Sequence, residues 1–354
     1  MTKLKVTVVA GARPNFIKVA PILKAFQKAE IDFRLVHTGQ HYDKNLSDTF
    51  FSDLNIPPPH INFNVGSGSQ AEQTGAIMIA FEKELINNPT DYVLVVGDVN
   101  STVACGITTK KQNVRLIHVE AGLRSGDMTM PEEINRLVVD RISDLLFTTT
   151  QQASYTLKAE GVEKGKIHLV GNVMIDSLID SLPKVSRPQG IDINKPFFVL
   201  TLHRPSNVDE KNKILNTLKH ISNQVGQKAS IIFPVHPRTS TVLNNFPIPE
   251  NLQMVAPLRY LEFIYLIKNS IGVITDSGGI QEETTYLGVP CITLRENTER
   301  PETIHLGTNK LIGNDFQKLG SCIKEILENR WKSGSIPEFW DGKSAERIAE
   351  KIKA

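Results

Sequence analysis

Short apolar runs alternate with longer amphipathic segments along nearly the whole chain. Residues 6–11 form an apolar run that ends in glycine. Over residues 14–29 the apolar positions Phe16, Ile17, Val19, Ala20, Leu23 and Phe26 follow a helical spacing. Pro14 suits the first turn of that helix, where its missing N–H loses no hydrogen bond. The pattern recurs with apolar runs at 33–38, 92–97, 116–119 and 145–149, each followed by a helical pattern. These runs lack the polar alternation of a strand with one wet face, so they predict strands buried on both sides. A parallel sheet covered by helices, the doubly wound α/β fold, is the architecture with such strands.

The alternation restarts after a polar, proline-bearing stretch at 183–196, with further strand-like runs at 197–202, 231–235, 252–255, 272–275 and 291–294. A second domain of the same class is therefore expected, which suits a chain of 354 residues. We expect the first domain over 1–171, with the helix after Asn172 acting as linker, and the second over 172–344. The last amphipathic segment sets Ile348, Ala349 and Ile352 on one face. In two-domain folds of this type such a tail, here 345–354, packs back on the first domain.

Composition narrows the class further. Hydrophobic residues make up 40% and charged residues 22%, with 40 basic against 38 acidic side chains and a net charge of +2. No concentrated basic surface points to nucleic acid or membrane as partner. Cys105, Cys291 and Cys322 are odd in number and widely spaced, which suits small core hydrophobes and not a disulfide framework or zinc site. The apolar run near the amino terminus is closed at once by Arg13-Pro14 and reads as a strand and turn, not a signal peptide. No stretch is apolar enough for long enough to span a bilayer. A cytoplasmic protein is expected.

Ligands of open α/β sheets bind beyond the carboxyl ends of the strands, so the residues directly after each apolar run carry the chemistry. In order these are Gly11-Ala12-Arg13-Pro14, Gly97-Asp98, Glu120-Ala121-Gly122-Leu123-Arg124, His203-Arg204, His236-Pro237-Arg238 and Asp276-Ser277-Gly278-Gly279. Such an edge suits an anionic ligand together with proton transfer. Ser277-Gly278-Gly279 lies where a strand ends and a helix begins. Two readings of it stand at equal weight: a diphosphate site on free backbone N–H groups, or a plain N-cap and turn. Glu283, one turn on, is placed to accept ribose hydroxyls, although alone it reads more simply as a solvated helix residue. Arg13 is a candidate for phosphate or carboxylate pairing, whereas Lys18 taken alone is more often a surface lysine.

Asp98 and Glu120 follow strands, and Glu132-Glu133 open a helix. Singly, each acid has a bland reading, Asp98 as an N-cap before Asn100-Ser101 and Glu132 as a dipole partner. Jointly, several acids at strand ends together with His203 favour proton transfer. Neither a GxGxxG after the first strand nor a GxxxxGK[ST] is present, which counts against dinucleotide dehydrogenases and P-loop enzymes.

These motifs, with Pro131-Glu132-Glu133-Ile134-Asn135-Arg136, Thr201-Leu202-His203-Arg204, Gln281-Glu282-Glu283 and Thr298-Glu299-Arg300-Pro301-Glu302, stand in one order from the first strand to about Gly313. As a set the sequence resembles the non-hydrolysing UDP-N-acetylglucosamine 2-epimerases. The resemblance implies a GT-B fold, two Rossmann-like domains facing a central cleft, and a homodimer. It implies interconversion of UDP-GlcNAc and UDP-ManNAc, without NAD or metal, by elimination of UDP to 2-acetamidoglucal and re-addition. By the same analogy Asp98, Glu120, Glu132 and His203 are catalytic. Arg13, Lys18, Arg136, Ser277, Gly278, Gly279 and Arg300 contact the phosphates or sugar, Glu283 the ribose, and Phe263 the uracil; for Phe263 a core role stands nearly level.

The chain departs from many bacterial members at Asn15, where they carry Glu, and at Arg204-Pro205-Ser206-Asn207, where they carry Arg-Arg-Glu-Asn. Some of those members bind a second UDP-GlcNAc as activator; Gln40 matches part of that region, and Pro205 removes a basic side chain from it. Three other readings share the features: a GT-B glycosyltransferase with a UDP-sugar donor, a hydrolysing epimerase that releases UDP, and a non-catalytic nucleotide-sugar sensor.

Overall fold

Strand β1 (Lys5–Ala10) lies within a seven-stranded sheet of order β3-β2-β1-β4-β5-β6-β7, built with β2 (Asp32–His37), β3 (Ile61–Asn62), β4 (Tyr92–Val96), β5 (Arg115–Ala121), β6 (Leu145–Thr148) and β7 (Ile167–Leu169). Every pairing in it is parallel. A second sheet runs β10-β9-β8-β11-β12-β13, from β8 (Phe197–Thr201), β9 (Ser230–Pro234), β10 (Leu252–Val255), β11 (Gly272–Thr275), β12 (Cys291–Thr293) and β13 (Asn309–Leu311), again all parallel. This computed structural model describes residues 3–39, 51–235, 237–243 and 247–354, without the side chains of 13, 205, 206, 237 and 238. Gln40 and His236, singled out above, lie outside the described residues.

The central strands are buried on both faces, as their unbroken apolar runs require; all five residues of β4 are buried. The strands that left no trace in the hydrophobic pattern, β3, β7 and β13, are two or three residues long and sit at sheet edges. So short an edge strand carries too few side chains to show a period.

The helices that bear on the chemistry are α1 (Arg13–Lys28), α2 (Asn100–Lys111), α3 (Pro131–Ile142), α4 (Val173–Ser181), α5 (Tyr260–Asn269), α6 (Gly278–Leu287) and α7 (Ser344–Lys353). The chain divides into two compact units, Met1–Asp180 with Glu338–Ala354, and Ser181–Pro337. The division falls later than the expected boundary at 171. Helix α4 buries Val173, Ile175 and Leu178 completely, and its Asp176 accepts the backbone N–H of Ala345 at 2.7 Å. It is therefore part of the first unit and not a free linker.

Helix α7 completes the core of that unit. Its Ile348, Ala349 and Ile352 join one apolar cluster with Phe16, Val19, Ile22, Leu23 and Phe26 of α1. Lys28 pairs with Glu346 at 2.7 Å, and Lys353 donates to the carbonyl of Ala29 at 2.9 Å. Ahead of α7, the fully buried Trp340 donates its indole N–H to the carbonyl of Thr149. Gly171 makes this return possible: with φ +98, a Cβ there would lie 2.0 Å from the carbonyl oxygen of Phe339.

In both sheets the order reverses beside the first strand, between β1 and β4 and between β8 and β11. In open parallel sheets a crevice opens at such points, and the polar strand-end residues of each unit fall there. Among the described residues no helix is long and apolar enough to cross a membrane. The three cysteines are buried and unpaired.

Candidate active site

The first unit gathers its polar residues beyond β1, β4 and β5. Gly11 and Ala12 follow β1 and lead into α1, which opens at Arg13. Asn15 accepts the N–H groups of Gly11 and Ala12 at 3.2 and 3.0 Å and donates to the carbonyl of Val96 at 3.0 Å. It thereby clips the start of α1 to the end of β4, a role for an amide, which both accepts and donates.

Lys18, one turn further, is buried, and its ammonium lies 2.5 Å from Oε2 of Glu120. This corrects the surface reading of Lys18. Its aliphatic stem follows the core face of α1 and only its head reaches the polar site. Oε1 of Glu120 is buried without a hydrogen-bond partner among the described residues. The backbone of Glu120 is in the left-handed region, φ +70, at a register irregularity between Val119 and Ala121. A side chain other than glycine held there stores roughly 1–3 kcal/mol, and such strain concentrates at functional sites.

Asp98 is not a helix cap, since α2 starts from Val99 as its N-cap residue. Its carbonyl accepts the side-chain N–H of Asn135 at 2.8 Å, and its carboxylate stands 3.4 Å from Arg136. Arg136 is 2% exposed, flanked also by Glu133 at 3.2 Å, and among the described residues none of its guanidinium nitrogens has a hydrogen-bond partner. A buried cation with unfilled donors beside a half-exposed carboxylate suits an oxygen-rich ligand. Glu132 stands half-buried in the first turn of α3, with no side-chain partner among the described residues. Its neighbour Glu133 is spent on structure, accepting the N–H groups of Ser125 and Gly126 and the hydroxyl of Ser125.

Beneath these groups runs a buried network that sequence reasoning missed. His118, in the middle of β5, places Nδ1 2.6 Å from Asp140 and Nε2 2.9 Å from the carbonyl of Gly97. Asp140 also accepts the N–H of Gly122 at 3.0 Å and pairs with Arg124 at 2.7 Å. Burial would raise the Asp140 carboxyl, but the charges and hydrogen bonds of His118 and Arg124 prevail and hold it below the usual range. One carboxylate thus ties the backbone beside Asp98 to the backbone beside Glu120.

The second unit gathers its polar residues beyond β8 and β11. Asp276, completely buried, accepts backbone N–H groups of His203 and Arg204 and the side-chain N–H of Asn207. Its Oδ1 lies 2.8 Å from Nδ1 of His203, whose side chain is 53% exposed. Burial alone would raise the Asp276 carboxyl; the His203 interactions and the further donors outweigh it and lower it.

Ser277, Gly278 and Gly279 then start α6. Ser277 holds the N-cap position but its side chain makes no cap hydrogen bond, so the free N–H groups of this turn are not capped from within. Gly278 is required by close approach: a Cβ would lie 2.8 Å from the Arg300 guanidinium and 2.9 Å from Glu299. Arg300 is buried behind this turn, paired with Glu282 at 2.8 Å and Glu299 at 2.5 Å.

Glu283 is buried and accepts the hydroxyl of Tyr260 at 3.0 Å, while Phe263 stands half-buried on the same helix α5. Burial, opposed by the Tyr260 hydrogen bond and reinforced by Glu282, pushes the Glu283 carboxyl up to about 8. Glu302, with neither oxygen hydrogen-bonded, is pushed up to about 7, again mainly by burial. Folded protein thus holds protons on these groups that an unfolded chain has released above the ordinary carboxyl range. Their contribution to stability is complete below that range and is lost as pH rises through about 7–8. Urea titrations at pH 6 and pH 9 should show wild type losing markedly more stability than Glu283→Gln, which has no such proton to lose; equal losses would contradict the assignment.

The first unit therefore brings together Lys18, Asp98, Glu120 and Arg136, and the second His203 with the Ser277–Gly279 turn. The side chain of Arg13 lies outside the described residues. Asp276 was visible as a strand-end residue without a role. His118 in an apolar run gave no signal beyond that of a core histidine, and its partner Asp140 is 22 residues away. Among the described residues no group of His, Cys, Asp or Glu is arranged to hold a metal ion.

Comparison with known proteins places this geometry in context. The family model described as UDP-N-acetylglucosamine 2-epimerase matches residues 24–353. The chain is 42% identical to the UDP-N-acetylglucosamine 2-epimerase of Methanocaldococcus jannaschii, over 98% of each chain. It is 38% identical to the UDP-2,3-diacetamido-2,3-dideoxy-D-glucuronate 2-epimerase of Pseudomonas aeruginosa, over 99% of each. The crystal structure of the M. jannaschii enzyme in complex with UDP-GlcNAc and UDP matches with a TM-score of 0.91 at 40% identity, covering 99% of both chains.

Proposed function

The chain belongs to the UDP-N-acetylglucosamine 2-epimerase family, and from that premise we propose that it inverts C2 of UDP-GlcNAc without hydrolysis, by eliminating and re-adding UDP. The observation that carries the reading is Glu120, a buried carboxylate at a strand end with one oxygen on Lys18 and the other unpartnered. The hydrogen at C2 is barely acidic, so loss of the diphosphate from C1 must lead and leave positive charge on the ring. Carboxylates stabilise that charge and take the C2 proton as it becomes acidic.

In this reading the C1–O bond breaks with its electron pair on oxygen, the C2–H pair forms the double bond of 2-acetamidoglucal, and a carboxylate of the first unit holds the proton. Return of a proton to the opposite face of C2, with re-addition of UDP at C1, gives UDP-ManNAc. Glu120, Asp98 and Glu132 form the acid–base set, with Arg136 and Lys18 beside them. The Ser277–Gly279 turn takes the diphosphate on its backbone N–H groups, Glu283 the ribose and Phe263 the uracil. Arg300 supports the turn from behind, and Arg13 is assigned to the phosphates by analogy with the family. No hydride carrier enters the scheme.

Proton NMR of the protein with UDP-GlcNAc in D₂O, without added cofactor, tests it. UDP-ManNAc with deuterium at C2 and UDP retained is the expected product. Free ManNAc with UDP would indicate the hydrolysing reaction, and UDP binding without exchange would sink the epimerase reading for this substrate. The same experiment with UDP-2,3-diacetamido-2,3-dideoxy-D-glucuronate tells which of the two sugars turns over faster.

A further inference from the structure

We propose that Asp276 is a positioning residue that fixes the tautomer of His203, so that Nε2 gives a proton to the departing diphosphate and takes it back on re-addition. The inference deepens the epimerase reading and rests on it.

The geometry of the Asp276 carboxylate is asymmetric. Two donors go to Oδ2 alone, the backbone N–H of Arg204 and Nδ2 of Asn207, each at 3.0 Å. The backbone N–H of His203 is shared between Oδ2 at 3.1 Å and Oδ1 at 3.2 Å, and Oδ1 also faces Nδ1 of His203 at 2.8 Å. With no proton of its own, the carboxylate can only accept, so Nδ1 must carry the hydrogen. Nε2 then points away from the buried pair on a ring that is 53% exposed, and it is the nitrogen free to exchange a proton.

The carboxylate also balances the charge of the imidazolium that forms whenever Nε2 is protonated. In the elimination, the C1–O bond breaks with its electrons on oxygen, Nε2–H passes its proton to that oxygen, and the ring becomes neutral with Nδ1–H still on Asp276. Re-addition reverses each transfer. The Ser277–Gly279 turn follows Asp276 directly in the chain, so the residue that orients the ring also leads into the N–H groups assigned to the diphosphate.

The asymmetry makes Asp276→Asn a sharp test. The Arg204 N–H and Asn207 Nδ2, which reach Oδ2 alone, require the amide oxygen there, which sets the amide NH₂ against Nδ1. That forces Nδ1 to accept and locks the hydrogen on Nε2. A ring in this state still donates a hydrogen bond to a phosphate but cannot give up its proton without becoming an imidazolate. If His203 only binds phosphate, Asp276→Asn therefore keeps kcat. If it exchanges a proton, kcat falls by about 10²–10⁴-fold with KM and UDP affinity little changed, as for other His–Asp pairs.

Two measurements accompany the rates. ¹⁵N spectra of the His203 ring should show Nδ1 protonated in wild type and bare in the variant. In a His203→Ala background Asp276→Asn should have almost no further effect on kcat, whereas a variant that merely loosens the fold lowers it again. Retention of kcat within about threefold in Asp276→Asn, or a bare Nδ1 in wild type, overturns the proposal. Absence of C2 exchange in wild type is failure of the epimerase reading instead. In that case the ring spectra decide: the proposal keeps its support if Nε2 shifts on UDP addition with Nδ1 protonated, and is lost if Nε2 does not respond.

Discussion

Glu120→Gln is expected to lower turnover by about 10²–10⁴-fold while leaving UDP affinity within about threefold. The carboxylate is almost fully buried, and among the described residues the only hydrogen bond on its side chain is the one from Lys18. The substitution removes the acceptor that would take the C2 proton and leaves the buried ammonium of Lys18 without its anion. Stability will fall as well, so the two effects are separated by titrating UDP calorimetrically: the nucleotide-binding residues proposed here, Arg13 apart, belong to the second unit, while Glu120 lies in the first. Turnover followed by NMR or chromatography provides the rate. A variant that binds UDP and retains turnover within about threefold of wild type would remove Glu120 from the chemistry.

The largest loss of stability is expected at Asp140. Its two oxygens serve His118, Arg124 and the N–H of Gly122, and it is 2% exposed. Asp140→Ala leaves the buried His118 ring, the Arg124 guanidinium and one backbone donor unanswered, and breaking a buried pair this way costs about 3–5 kcal/mol. Because the folded state lowers the Asp140 carboxyl, this contribution is present above the ordinary aspartate range and disappears as pH falls through the folded value. Denaturant titration of the first unit should show the loss at pH 7 and a much smaller difference from wild type in strong acid. Asp140→Asn, which keeps one acceptor, should fall between. Loss of under about 1 kcal/mol in the alanine variant would show that His118 and Arg124 find other partners.

Much of the fold was legible because the central strands are buried on both faces, which leaves unbroken apolar runs with polar residues at their ends. Asp98, Glu120, His203 and Asp276 could be found from that pattern alone, since parallel strands all direct their carboxyl ends to one edge. What stayed hidden depends on pairing through space. His118 and Asp140 meet across a sheet–helix packing contact, Tyr260 reaches Glu283 from another helix, and the convergence of Arg204 and Asn207 on one oxygen of Asp276 has no linear signature. Lys18 read as a surface residue because composition cannot tell a long side chain that ends in solvent from one that ends on a buried carboxylate. Helix α4 read as a linker because its partners are remote in sequence: Ser177 donates to the carbonyl of Ile17, and Asp176 accepts from Ala345, which arrives from the far end of the chain.

That late arrival sets an order of events during synthesis. The second unit, Ser181–Pro337, is continuous, whereas the first waits for Glu338–Ala354. On the ribosome, 181–337 is therefore made in full while the apolar face of α1 that receives Ile348, Ala349 and Ile352 still lacks its cover. Domains ordinarily mature from the amino terminus onward; here the earlier-translated unit is the last to close. Until then its exposed strip is a surface on which chaperones would act, and a nascent chain stalled before 338 would carry a finished second unit beside an open first one.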